Sequence, residues 1–415
     1  MAAFTDLWRA RVQFFNPIVP TLLELHQKYG SVVRIGPNTI SLSDPGFVKL
    51  VYSARNEFTK ADSYGPMRVF IKHESVGSII DMQDDEQNRV LKKAVGALFN
   101  SKNLAPFESV VESILEDLAW KVCSASQQPF NLYEVMQLYQ LDFLIKIAFS
   151  ENAGHLRQGQ DVMGLAKLGF KRVSHWYSWQ PLFCLERFIF QNRHWSGRLA
   201  GPSKWAVAGA DRLKLRQQHA YRGIERNDDL LQGYIRASEK YPDTLRAGTI
   251  VSLVNSTVSA GADTTAGTMS TILYLLMKHS RARECLLKEL QDARSQGRIS
   301  APIRYVEVER LPYLDAVVKE ALRLNPPLAV PLERVVPAQG CSFNGLKIPG
   351  GTIVGCTGTV IHLNQCCFGD DADQFRPERW LNRDNKDRLA MEQAFLAWGA
   401  ANSSDFQGTR FDGTL

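Results

Sequence analysis

Apolar residues recur at intervals of three and four across 85–99, 107–123 and 131–149, the spacing of helices that turn one face to a core. The same spacing runs over 22–29 and closes on Gly30. Residues 32–35 and 39–42 flank Gly36-Pro37-Asn38, which predicts two paired strands joined by a turn. Asp44-Pro45 supplies a capping acid and a first-turn proline, so a helix is expected to begin there. Between 151 and 240, aromatic and basic residues such as His175, Trp176, Tyr177 and Trp179 follow in less regular order, and the pattern there defines no elements beyond charged helical turns toward Tyr241-Pro242.

Downstream, one long helix is expected over 243–277, a charged one over 281–296 and a third over 313–324, stopped by Pro326-Pro327. Short strands at 333–336, 342–343, 346–348 and 352–355 follow, separated by Gly345 and by Pro349-Gly350-Gly351, in the manner of a small antiparallel sheet. The expected fold class is therefore mainly α with small antiparallel β-sheets, and no internal repeat interrupts it.

Composition narrows this picture. A chain of 415 residues with 45% hydrophobic and 22% charged residues is folded; its length permits several domains but equally one large helical unit. The 49 basic and 43 acidic residues are interspersed, leaving +6 without a Lys/Arg run, so nucleic acid is not an indicated partner, whereas an acidic protein or a membrane surface suits the bias. Cys123, Cys184, Cys285, Cys341, Cys356, Cys366 and Cys367 are odd in number and form no C-x-x-C pair; they indicate neither a disulfide framework nor a zinc site, and a reducing compartment is expected. The start of the chain carries Asp6 and Arg9 and no apolar run of signal or anchor length. Only Asp263 interrupts 247–277; its Thr, Ser, Gly and Asn content favours a buried helix over a membrane span.

Candidate chemistry sits in three places. Glu320 and Arg323, three apart on a helix, make an ordinary surface ion pair when taken alone, and a wheel drawn from Val317 puts Glu320 at the border of the apolar stripe with Arg323 farther round. Phe375-Arg376-Pro377-Glu378-Arg379-Trp380 changes that reading, because Arg379 can share the Glu320 carboxylate in a desolvated network. Ala260-Gly261-Ala262-Asp263-Thr264-Thr265 sets an acid and two hydroxyls in an otherwise uncharged helix. Its small residues admit either a flat group or a neighbouring helix, and a Thr hydroxyl bonded back to the preceding turn bends the helix locally.

Together these segments resemble the cytochrome P-450 family of haem-thiolate monooxygenases, and filamentous-fungal members in particular. Leu25-His26-Gln27-Lys28-Tyr29-Gly30, Pro331-Leu332-Glu333-Arg334-Val335-Val336-Pro337, Ile348-Pro349-Gly350-Gly351-Thr352, His362 and Phe368-Gly369-Asp370-Asp371-Ala372 extend the resemblance over 22–399. It implies a cytochrome P-450 fold and a heme cofactor (iron protoporphyrin IX). It further implies insertion of one oxygen atom from O2 into a small lipophilic substrate of secondary metabolism, with electrons from an NADPH-dependent flavoprotein reductase. Thr264 would then hydrogen-bond bound dioxygen and Asp263 relay protons. Ala260 and Gly261 would let the cofactor approach, and Arg334 would meet a propionate. Asn88 and Lys92 stand where the family carries an aromatic or His and an Arg, so Lys92 would neutralise a propionate without the bidentate fork. Glu320, Arg323 and Arg379 would be the structural network on the proximal side. The resemblance implies a monomer. The family usually faces the cytoplasm from the endoplasmic reticulum membrane; without an anchor, this chain is expected to be cytoplasmic or peripheral.

The resemblance breaks after Trp398-Gly399, where the family carries a glycine, an arginine and the ligand cysteine. Counted straight on, Ala401, Ser403 and Asp405 stand there; skipping to Gly408 and Arg410 puts Asp412 at the ligand. Neither carboxylate replaces a thiolate. The expected organisation is a remnant at 1–21, a cytochrome P-450 domain at 22–399 and a divergent tail at 400–415, a C-terminally truncated member. The alternatives are a catalytically inactive homologue acting as a binding scaffold or non-functional product, and a membrane protein built on 247–277. Translating the genomic bases beyond codon 399 in all frames is expected to yield a Gly-x-Arg-x-Cys-x-Gly stretch; finding none leaves the inactive homologue standing.

Overall fold

A computed structural model describes residues 2–52, 57–71, 74–76, 78–124, 128–191, 204–221, 228–381 and 385–399. The chain divides into two compact units, Met1–Ser63 with Gln180–Leu182 and Thr268–Leu415, and Tyr64–Trp179 with Phe183–Gly267. The strands are β1 (Val32–Gly36), β2 (Thr39–Leu42), β3 (Thr59–Lys60), β4 (Val69–Ile71), β5 (Glu74–Val76), β6 (Arg334–Val335), β7 (Cys341–Phe343), β8 (Leu346–Ile348) and β9 (Ile353–Cys356).

The first unit is built on a mixed sheet of order β1-β2-β9-β6-β3. β1 and β2 form the expected hairpin, with Val32 opposite Leu42. β9 runs parallel to β2, pairing Thr39 with Ile353 and Leu42 with Cys356, while β6 runs antiparallel to β9. The antiparallel pairing expected from 333–355 is present in β6 with β9 and in the β7–β8 hairpin, but β9 also finds a parallel partner near the other end of the chain, which joins it to a larger mixed sheet. Alternation along a strand sets which face is buried and says nothing of such a distant partner. Leu42, Phe47, Val48 and Val51 pack there against Val354, Ile361, Phe368 and Met391. Tyr52 ties the layers, donating to the Leu332 carbonyl at 2.6 Å and accepting from the Cys356 N–H at 2.8 Å.

Helix Pro312–Leu324 starts on a proline at its first position and ends just before Pro326. Its N-cap, Leu311, has no capping side chain. The Glu289 carboxylate, from helix Ser280–Ser295, instead accepts the Tyr313 and Leu314 N–H groups at 2.8 and 2.9 Å, satisfying two otherwise orphaned donors. Within 1–21, helix Leu7–Phe15 buries Arg9 and Gln13. Arg9 pairs with Glu333, and Gln13 bonds to Gln180 at 3.2 Å, whereas Leu7, Phe14 and Phe15 are exposed.

The second unit centres on helix Leu132–Phe149, capped by Asn131, whose side chain accepts from the Glu134 N–H at 3.3 Å. From Val135 onward it is buried on nearly every face, so the single apolar stripe expected of it is corrected to a central helix that neighbours enclose. Leu141, Leu144 and Ile145 pack with Leu231, Tyr234, Val254 and Val258. Helix Glu108–Ser124 keeps the amphipathic role, with Ile114 its buried contact. The middle region resolves into helices Leu165–Trp179, Phe183–Phe190, Lys204–Tyr221 and Leu230–Lys240. Its pattern was opaque because Phe170, Val173, Leu185 and Phe188 are exposed apolar residues, which blur the stripe. Helix Ala247–Lys278 spans 32 residues. Among the described residues no helix is long and apolar enough to cross a membrane, which removes the span at 247–277.

Candidate functional site

Glu320, Arg323 and Arg379 come together as the spacing suggested. Arg323 forks onto Glu320, Nε to Oε2 and Nη2 to Oε1 at 2.8 Å each. Arg379 Nε donates to Oε1 at 3.2 Å. The same carboxylate accepts the Trp380 indole N–H at 2.9 Å and the Arg376 backbone N–H at 3.0 Å. Glu320, Arg323 and Arg379 are all buried, which the helical wheel had left open. That flank is roofed by chain: Arg323 Nη1 donates to the carbonyls of His362 and Ala372, and Nη2 to that of Gln374. Arg379 reaches the Phe368 carbonyl and, at 2.7 Å, Asp371 Oδ1. Burial acts to raise the Asp371 carboxyl, but the bond and charge of Arg379 hold it below its ordinary value.

His362 completes this cluster, and the pattern gave no role for it beyond resemblance. Nδ1 donates to the Arg323 carbonyl at 2.9 Å and Nε2 accepts from the Leu396 N–H at 2.7 Å. One nitrogen donates while the other accepts, so the ring is neutral. Burial lowers it to about 3. Arg334, expected to meet a propionate, is buried. Its Nη1 donates to the Glu333 carbonyl at 3.1 Å, and its guanidinium lies 5.4 Å from the centroid of the Tyr52 ring.

In the second unit the acid and threonine pair sits in one unbroken helix. Thr264 Oγ1 donates to the Ala260 carbonyl at 2.7 Å, the back-bond weighed above. A Cβ on Gly261 would stand 3.0 Å from Leu144 Cδ2; the glycine admits the neighbouring helix, and this is the bland alternative for it. Asp263 Oδ1 accepts from Gln137 Nε2 and lies 3.5 Å from the Tyr133 hydroxyl. Burial raises its carboxyl above the ordinary value, opposed by those two bonds. Tyr133 is pushed up to about 12, by burial first and then by Asp263. Nothing in the sequence singled out Gln137 or Tyr133, since their role depends on which helix packs against residue 263. Asn88 is buried with Oδ1 unpartnered, and Lys92 is partly buried one turn on.

The structure thus combines a mainly helical frame, a buried Glu-Arg-Arg clamp and an acid-threonine helix. The cytochrome P-450 family model matches residues 10–400. A cytochrome P-450 monooxygenase of Aspergillus terreus is 30% identical over 91% of the chain and 78% of its own length. Cytochrome P-450 monooxygenase cicH of Emericella nidulans is 32% identical over 92% and 77%, and cytochrome P-450 monooxygenase mpaDE of Penicillium roqueforti is 33% identical over 91% of the chain and 45% of that protein. The chain belongs to the cytochrome P-450 family of haem-dependent monooxygenases, and these relatives are fungal.

Among the described residues the donor set does not fit the family's iron centre. No cysteine follows Cys367 in the sequence. Burial pushes the Cys356 thiol up to about 12, so it stays protonated, and the Cys367 thiol donates to the Ala390 carbonyl at 3.4 Å. Asp405 and Asp412 lie outside the described residues. The orphaned Asn88 oxygen is an acceptor and suits a donor, not a propionate.

Two outcomes follow. Glu320→Ala strands two buried guanidiniums and should cost about 3–5 kcal/mol, read as a lower urea midpoint. His362, lowered when folded, binds its proton more readily when unfolded; stability should therefore fall as pH drops from about 6.5 toward about 3, by at most ~1.4 kcal/mol per pH unit. Urea titrations across that window should show the slope, and His362→Phe should flatten it.

Proposed function

We propose that this chain is the frame of a fungal monooxygenase for small lipophilic substrates of secondary metabolism, and that these 415 residues do not themselves form a haem-thiolate centre. When bound, haem supplies oxygen activation to the family, with electrons from an NADPH-dependent flavoprotein reductase. The absence of any cysteine beyond Cys367 carries the second half of the reading. The first half is supported by the closed clamp and by the family's match across both units. Lys92 and Arg334 are the cations proposed for propionates, with Ala260 and Gly261 on the cofactor side of the helix and Thr264 and Asp263 as its polar pair. The frame is proposed to act as a monomer, cytoplasmic or peripheral to a membrane.

A binding scaffold without oxidation chemistry is the second reading. It is favoured by the clamp, whose donors and acceptors are supplied by the chain alone. Both readings separate from an active enzyme in a reduced carbon monoxide difference spectrum after incubation with haemin. The purified chain should give no red-shifted Soret band of thiolate ligation while still unfolding cooperatively in urea; a thiolate band would overturn the proposal.

A further inference from the structure

Asp263 is held from one side. Gln137 Nε2 donates to Oδ1. The same amide lies 3.4 Å from the Tyr133 hydroxyl, itself 3.5 Å from Oδ1. Gln137 and Tyr133 are four apart on helix Leu132–Phe149 and so share a face. The other oxygen, Oδ2, is crowded by helix Leu165–Trp179, for a Cβ on Gly169 would meet it at 3.1 Å. Beside the acid lies a cavity of about 10 Å³ lined by Asp263, Ser259, Trp205 and apolar side chains, at the lower limit for a single water. The Trp205 indole N–H is buried without a partner.

We propose that Gln137 is a positioning residue for Asp263: it fixes the direction of the carboxyl toward helix Leu132–Phe149 and sets when that carboxyl gives up its proton. This rests on Asp263 being the acid of the proposed site. The groups that face the acid are Gln137 and Tyr133 from one helix, Gly169 from the next and Ser259 from its own, with Asp161 adding a repulsive charge. None is a cation. A carboxylate here is therefore supported by neutral donors, of which the Gln137 amide is the shorter and better placed. Tyr133, pushed up to about 12, keeps its proton and remains a donor through neutral pH. Burial outweighs both bonds and leaves the acid raised. The folded state thus holds this proton more firmly than the unfolded state, and the associated stability is present at low pH and lost as pH rises through the folded value.

The test uses the full chain with carbon-13-labelled aspartate carboxyls, assigning the Asp263 resonance by its loss in Asp263→Asn. Gln137→Leu removes the amide donor, and its titration midpoint for Asp263 should move upward. Gln137→Glu adds a like charge and should move it farther; being nearly isosteric, it carries the test if the leucine variant does not fold. Tyr133→Phe should move it less than either. In urea titrations the pH at which stability declines should shift upward in Gln137→Leu, and that shift should vanish when Asp263→Asn is added. An Asp263 midpoint unmoved in both Gln137 variants, or a stability shift that persists with Asp263→Asn, overturns the proposal. Neither measurement reads haem binding, so a failure here is distinct from a failure of the proposed function.

Discussion

One desolvated carboxylate, Glu320, organises the first unit. Two guanidiniums, an indole N–H and a backbone N–H converge on its two oxygens. Asp371 supplies a second anion to Arg379 and is shared with Arg376. The remaining donors of Arg323 and Arg379 go to the carbonyls of residues 362, 368, 371, 372 and 374. A buried ion pair of this kind is a weak source of net stability compared with an apolar packing of the same volume. Its consequence is specificity: five planar donors per guanidinium meet acceptors at fixed directions, so the loop 358–380 has one way to lie on helix Pro312–Leu324. Lysine carries the charge without that geometry. His362 extends the constraint, since its neutral ring links the Arg323 carbonyl to the Leu396 N–H and joins the clamp to the segment leading into Trp398-Gly399.

The second unit follows the opposite design. Among the described residues Asp263 meets an amide and a phenol and no cation, and burial raises its carboxyl. Thr264 closes onto its own helix, and Gly261 onto Leu144. Thr264 and Gly261 thus each have a packing contact within the chain.

How far the sequence reached depended on the range of the interaction concerned. Pro312 and Pro326 bounded the clamp helix because proline acts on its immediate neighbours. The β1 and β2 hairpin was legible from a three-residue turn. Arg379 could be matched to Glu320 because two motifs named each other chemically, although the helical wheel left the burial of Arg323 open: a wheel measures apolar periodicity, and the cover over Arg323 is backbone carbonyl. The antiparallel pairing of β9 with β6 was legible, whereas its parallel pairing with β2 was not, because β2 lies near the opposite end of the chain. Gln137 was invisible for the same reason. A glutamine on a central helix carries no local signal, and only the packing of two helices brings its amide to an acid.

The clamp also explains how a frame of this family can keep its form without a thiolate. Every polar group on Glu320 and both arginines that the structure pairs is paired within the chain. The core around Phe368, Trp380, Met391 and Leu396 is apolar and buried. Folding of that region therefore draws on hydrophobic burial and internal hydrogen bonds, neither of which requires the iron or its axial sulfur. Function is different, because oxygen activation in this family depends on electron donation from the sulfur.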